Sequence, residues 1–379
     1  MARTNQKKNR SLSLQVLEDR NMFAGNVLAN LAGTHLAISG DALGNQVDIA
    51  ELAPNTIQVT GLAGTTVNGA PMQVFAASLI EDVTVQSGDG RDQITIHDLS
   101  LTDTSNGNLK VFTSAQDDQV VMWRVTTSNS IEIDTGDHND LVGLFQVGTD
   151  GMWTTRSGDG HDSIALRTVA AKEMVVDTMD GNDRLRIYDA KIGTDLSVNT
   201  DTENDTVQID RARIGNNLHI QTGQGMDRVR LRDISAGNDV GLDTGSESDS
   251  AYLTRVKAGH DVVTKTGDGD DLLVMDQIKS LNHIIVDTDL GDDQAYITRA
   301  KAKDAYFNTG DGSDNLYMSD VNTAGDLFAR LGAGDDIFRI SNSNAVNPFF
   351  DGGPGFDTIY DLPNAFDEVL ASINFEVVI

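Results

Sequence analysis

From Gln93 onward, apolar and polar residues alternate in short bursts, each starting two residues after an Asp. Ile94 and Ile96 follow Asp92, Val120 and Met122 follow Asp118, and Leu273 and Met275 follow Asp271. Alternation at period 2 directly after a polar turn predicts a strand with one buried face. A second alternating pair comes later in each burst, as in Leu196 and Val198, Leu218 and Ile220, or Ile284 and Val286. Between the two pairs, Gly193, Gly215, Gly237 and Gly259 mark a corner.

The turns repeat. "TGDGDD", Thr266 to Asp271, returns as "SGDGRD", "TGDHND", "TDTEND", "TGDGSD" and other variants, thirteen in all. The last Asp falls at Asp92, Asp118, Asp140, Asp162, Asp183, Asp205, Asp227, Asp249, Asp271, Asp293, Asp314, Asp336 and Asp357. Eight of the twelve intervals are 22 residues, three are 21 and one is 26. Counting each unit from its Thr or Ser puts the Asp sixth; the eighth position is then apolar in all thirteen units and the tenth in twelve, Asp361 being the exception.

A unit this short holds two or three strands and cannot bury its apolar face alone, so successive units must stack and bury their side chains in one continuous column. The period-2 pattern excludes an α-solenoid. The expected fold is therefore all-β, a right-handed parallel β-helix of about 13 coils of about 22 residues. With coils roughly 4.8 Å apart it forms a rod about 60 Å long. Residues 82–361 make up the repeats. Residues 26–81 carry strand-like text but only imperfect copies of the phrase, and are expected to form degenerate coils or a hairpin that caps the first coil; 362–379 are expected to cap the last. Uncapped ends would leave edges open to aggregation.

Gly stands second in nine turns and fourth in nine, which suits a backbone with positive φ at two places. The sixth-position Asp suits acceptance of backbone N–H bonds in its own turn or the next coil's. Thr or Ser stands first in eleven of the thirteen turns and is expected to form a hydroxyl ladder. This reading makes the turn a scaffold that needs no ligand.

Charge brings in a second reading. The 379 residues include 58 acidic and 28 basic ones, a net charge of -30. The thirteen six-residue turns alone hold 27 acidic residues and one basic residue, Arg91. Neighbouring carboxylates about 4.8 Å apart repel by roughly 0.9 kcal/mol even in bulk water, so one edge of the rod attracts cations. The same charge argues against nucleic acid and anionic membrane surfaces as partners. The chain has no Cys, which excludes disulfides and zinc-thiolate sites. No run of 18 apolar residues is present for a transmembrane helix.

Two resemblances add to this. "TGDGDDLLV" resembles the Gly-Gly-x-Gly-x-Asp-x-apolar-x nonapeptide of calcium-binding RTX β-rolls, in which turn carbonyls and the Asp hold calcium; oxygen ligation of this kind suits the ion. Here the phrase recurs every 22 residues rather than back to back, and its full Gly-x-Gly-x-Asp form occurs in seven turns. The resemblance implies calcium as cofactor and Asp271, Asp311, Asp314, Asp336 and Asp357 as ligands. In addition, the basic, polar residues 1–25 contain Leu17, Glu18 and Arg20 within "LQVLEDR". This resembles the Leu-Glu-x-Arg motif at the start of many large bacterial surface proteins, and implies export to the cell surface or medium.

No catalytic residue is assigned. Arg and Asp alternate down the twelfth position, from Asp189 and Arg211 to Asp233 and Arg255, as expected of a self-neutralising solvated face. The seven His are scattered through different registers and predict no cluster. The expected function is a non-enzymatic, secreted or cell-surface solenoid with a structural, adhesive or matrix role. The alternative is a polysaccharide-binding or polysaccharide-degrading β-helix, since many parallel β-helices are polysaccharide lyases or hydrolases.

Overall fold

The computed structural model describes residues 25–76, 79–361 and 371–378. The Leu-Glu-x-Arg segment and most of the expected C-terminal cap lie outside them. Every regular element among the described residues is a β-strand, and none is a helix long and apolar enough to cross a membrane.

The repeats stack as a parallel β-solenoid. Gln119–Thr127 pairs in parallel with Gln93–Leu101 on one side and Leu141–Thr149 on the other, in direct register from Gln93 through Gln119 to Leu141. A second ladder on another face joins Asn108–Phe112 to Ser130–Asp134 and then to Met152–Arg156. Each coil thus makes one pass along each ladder, so residues 21 to 26 apart in sequence become nearest neighbours across one rung. Between the two faces run the columns expected from the alternation. Ile94, Val120, Val142 and Ile164 form one column and Leu109, Ile131, Trp153 and Met174 another, all of them buried. Trp153 fits because Thr155 beside it is small and accepts the indole N–H at 2.9 Å.

The nine-residue strands hide a corner. In Gln93–Leu101 the buried residues are Ile94 and Ile96, then Leu99 and Leu101, so the inward phase flips in mid-strand. The flip occurs at the twelfth position, which is left-handed in successive coils: Asp98 (φ 52), Arg124 (φ 54), Gln146 (φ 54), Thr168 (φ 56), and on to Asn342 (φ 50). A left-handed residue costs Arg or Thr roughly 1 to 2 kcal/mol. In return, a third short face lies inside the coil, seen separately where Lys301–Ala302 pairs with Asn322–Thr323.

Before the first full coil the pairing changes sense. Asn26–Ala32 runs antiparallel to His35–Ser39, and Gln46–Ala53 is antiparallel to Thr56–Gly61, which is antiparallel to Met72–Ala76. Two strands of this group join the solenoid in parallel: His35–Ser39 on Asp82–Gln86, and Gln46–Ala53 on Gln93–Leu101. At the other end Ala371–Ile373 and Val377–Val378 add in parallel to Asn347–Asp351 and Thr358–Asp361.

Candidate functional site

The acidic turns are built from backbone that only tight stacking permits. All nine second-position glycines have positive φ, from Gly136 (φ 83) to Gly332 (φ 102). The second position is left-handed also where it is not Gly, as at Ser114 (φ 82) and Asp201 (φ 63), and stacking is close: a Cβ on Gly267 would fall 1.7 Å from the carbonyl oxygen of Gly245. The fourth position is also left-handed where it is not Gly, as at His138 (φ 91) and Glu247 (φ 72).

Into this turn the sixth-position Asp points inward. All thirteen are buried, none more than 3% exposed. Each backbone N–H donates to Oδ1 of the Asp one rung further on, from Asp92 to Asp118 at 2.7 Å through Asp249 to Asp271 at 2.7 Å to Asp336 on Asp357 at 2.9 Å. The ladder has a residue of different type at each end. Asn45 donates its N–H to Oδ1 of Asp92 at 2.6 Å, and Asp357 donates to Oε2 of Glu376 at 2.6 Å. Neither is Asp, so a search on the phrase misses both; the strand register, Gln46 beside Gln93 and Val377 beside Thr358, reveals them.

The second oxygen differs. Oδ2 of every one of the thirteen has no hydrogen-bond partner. It faces the first-position side chain across the turn: at Asp357, whose turn begins with Gly352, Oδ2 lies 2.7 Å from where a Cβ on that glycine would sit. In eleven of the other turns the first residue is a buried Thr or Ser, and in the turn of Asp336 it is Leu331. The hydroxyl lies near enough to lower the carboxyl's pKa, as Thr113 does for Asp118, yet in nine of the eleven turns it donates its proton to the next rung's carbonyl, Thr178 and Thr266 being the exceptions. Thr113 bonds Thr135 O at 2.9 Å, and Thr222 bonds Thr244 O at 3.1 Å. The hydroxyl ladder is therefore present in these nine turns, where it directs the hydroxyl proton away from Oδ2.

Burial without a counter-charge favours the neutral acid. Desolvation, and after it repulsion between neighbouring rungs, push Asp140, Asp205 and Asp249 up to about 8 against the hydrogen bonds that hold them down. The same desolvation takes Asp118 and Asp293 to about 7 and Asp227 and Asp271 to about 6. Burial therefore favours a companion on Oδ2, a proton or a cation, most strongly at Asp140, Asp205 and Asp249. Where the turn begins with Thr or Ser, as at Asp118 beside Thr113, the hydroxyl oxygen is placed to accept from a protonated carboxyl.

The sequence-derived calcium residues separate on this geometry. Asp271, Asp314, Asp336 and Asp357 share the inward column. Asp311 occupies the third position of its turn, exposed, with its N–H on Asp289 O and its own carbonyl accepting from Gly291. The fifth position forms a further ladder on the outer side, in which Asp292 donates its N–H to Asp270 Oδ1 and Ser313 donates to Asp292 Oδ1.

The twelfth-position charges pair as expected. Arg124 contacts Asp98 with two nitrogens, Arg255 contacts Asp233 in the same way, and Arg211 lies 3.9 Å from Asp189. Hydrogen bonds from Arg124 and His97 hold Asp98 down to about 2. Arg299 departs from the pattern and reaches Asp276, one position earlier.

The expectation that the histidines form no cluster is overturned. His260 and His283 stand on successive rungs with Asp239, Asp261 and Asp304. His260 Nδ1 lies 3.1 Å from both Asp239 Oδ1 and Asp261 Oδ2; His283 Nδ1 lies 3.1 Å from Asp261 Oδ1. Intervals of 22 and 23 residues hide this adjacency, because the two imidazoles occupy neighbouring columns rather than one. A second polar ladder runs along this corner in the opposite sense to the first: Asp261 donates its N–H back to Asp239 Oδ1, and His283 back to Asp261 Oδ1, both at 2.9 Å.

No protein-family model matches the chain, and no curated protein matches it. Among solved structures, the chain is similar to the X-ray crystal structure of a hyperactive, Ca2+-dependent, β-helical antifreeze protein from an Antarctic bacterium. The identity is 20% and the TM-score 0.48, over 71% of this chain and 78% of that chain.

Proposed function

We propose that the protein is a non-enzymatic, exported solenoid of the cell surface or surrounding matrix, with a structural or adhesive role and an acidic turn edge that takes up calcium. The observation that carries this reading is the column of thirteen buried carboxyls, each with Oδ1 engaged and Oδ2 unpartnered. The polar residues of the turns bond from rung to rung and so stiffen the rod along its axis. Oxygen is what Ca2+ prefers, and a cation placed against Oδ2 replaces the proton that burial otherwise imposes. Asp271, Asp314, Asp336 and Asp357 are the leading ligands because their turns carry the full Gly-x-Gly-x-Asp form; Asp311 contributes charge from the outside. Thermal melts at pH 8 with calcium and with chelator test the ion. An unchanged midpoint means the turns are self-sufficient. Release of product from a panel of acidic polysaccharides would overturn the non-enzymatic reading.

A specific observation favours polysaccharide binding as a second reading. On the outer face of four successive rungs, Ile285, Tyr306, Phe328 and Phe349 form a half-buried column, with Tyr306 and Phe328 stacked at 5.5 Å between centroids. Asp287, Asn308 and Arg330 flank it. Ring faces beside hydrogen-bonding groups are suited to sugar rings, which have one apolar face and a polar rim. Affinity electrophoresis in polysaccharide gels tests it: retardation of the wild type that Phe328→Ala abolishes supports binding, and equal mobility dismisses it.

A further inference from the structure

The geometry points to a site for a borderline divalent cation of the Zn2+ class at the corner opposite in sense to the acidic edge, held by Asp239, His260 and Asp261. One ring nitrogen and two carboxylate oxygens converge there. His260 Nδ1 is 3.1 Å from Asp239 Oδ1 and 3.1 Å from Asp261 Oδ2, and the three ligand atoms lie within 4.8 Å of one another. Bonds of about 2.0 to 2.2 Å place tetrahedral ligands about 3.3 to 3.6 Å apart. The two Nδ1–oxygen sides of the triangle therefore need only tenths of an ångström of adjustment to take the ion, and the carboxylate–carboxylate side, no longer than 4.8 Å, closes onto it by rotation of the side chains. Nδ1 carries at most one proton for two equidistant oxygens, so a cation between them satisfies all three at once.

The carboxylates are held in place by other groups. Asp239 Oδ1 accepts the N–H of Asp261 at 2.9 Å, and Asp239 Oδ2 accepts from Asn238 Nδ2 at 2.9 Å. Asp261 Oδ1 accepts from the His283 N–H and from Asn282 Nδ2, both at 2.9 Å. These bonds come from the rung backbone and its asparagines, and they leave Asp261 Oδ2 turned toward His260. Such outer partners orient metal ligands and commonly set affinity by 10- to 100-fold. His260 is 53% exposed along its side chain, which gives an entering ion a path and leaves room for water in the remaining coordination positions.

The imidazole decides which metal. Ca2+ takes oxygen ligands, whereas imidazole suits Zn2+, Cu2+ and Ni2+. The site shares no residue with the acidic edge, so its failure leaves the calcium reading intact, and the reverse also holds.

The test is isothermal titration of the chelator-stripped full chain with ZnCl2 in millimolar CaCl2, which occupies sites made of oxygen alone. One saturable zinc per chain is expected, weakened at least about tenfold by His260→Ala and comparably by Asp239→Asn, with metal-free melting curves unchanged. Titration with Co2+ gives a second readout that needs no variant: the ring protons of His260 should show the strongest paramagnetic shift among the histidines. Zinc binding that is indifferent to His260→Ala, absence of a saturable phase, or a Co2+ shift centred on other histidines would overturn the site.

Discussion

The backbone N–H of Asp249 donates to Oδ1 of Asp271 at 2.7 Å, one rung further along the rod. A separation of 22 residues thus becomes one hydrogen bond, and the carboxylate, expected to accept a backbone N–H, lies inside the turn. The acidic edge is then two layers deep, with a buried column behind an exposed one.

Replacing Asp271 separates its two oxygens. Asp271→Ala deprives a buried N–H of its acceptor, at a cost of about 1 to 3 kcal/mol. Asp271→Asn keeps the acceptor, never ionises, and offers an N–H to Thr266, whose hydroxyl has no partner. Asn45 already fills the equivalent place on the first rung. In chelator at pH 8, melting by circular dichroism should rank Asn at or above wild type, and Ala below both.

Stability should fall as pH rises, the reverse of ordinary acid denaturation. Burial pushes the folded carboxyls well above the ordinary Asp value, Asp227 up to about 6 and Asp205 up to about 8. Between about pH 4 and 8 the unfolded chain therefore holds fewer protons than the native rod. The stabilisation is complete below the unfolded value and is lost through the folded ones. Without divalent ions, Tm should drop by at least about 5 °C from pH 5 to pH 8; a Tm that climbs over this range would refute the buried-carboxyl account.

Calcium should act most where protons have left. At pH 8 the ion meets ionised Oδ2 atoms, while at pH 5 it must displace protons, so its effect on Tm should be several-fold larger at pH 8. Parallel melts at the two pH values check this. An equal shift at both would move the ion to the exposed carboxylates.

Two glycines with positive φ should behave differently when changed to Ala. Gly267 (φ 86) has a carbonyl oxygen 1.7 Å from the added Cβ, whereas Gly33 (φ 64) has nothing within 4 Å. Gly33→Ala meets only the left-handed penalty, about 1 kcal/mol. Gly267→Ala must in addition separate two rungs and should cost more than about 3 kcal/mol. Denaturant midpoints of the two variants give the comparison.

Much of the architecture was legible because it is written in columns. The eighth and tenth positions had to face inward, and Ile94, Val229 and Leu273 do. Glycines such as Gly223 had to adopt positive φ, and do. The ion pairs of the twelfth position, Arg255 on Asp233 among them, followed from stacking alone. What escaped was conformation without a residue signature: the left-handed corner at Asp98, Arg124, Gln146 and Thr168 uses four different side chains, so no local preference announces it.

By itself, then, the sequence determined the period, the two apolar stripes of each unit and the sign of the edge, since these depend on residue type repeated at fixed intervals. Only the tertiary structure decided which way the sixth Asp points, that Asn45 and Glu376 extend its column, and that His260 meets Asp239 and Asp261. Each of those outcomes depends on distances between coils of a few ångströms. Parallel stacking creates such distances between residues that the chain itself holds about twenty positions apart.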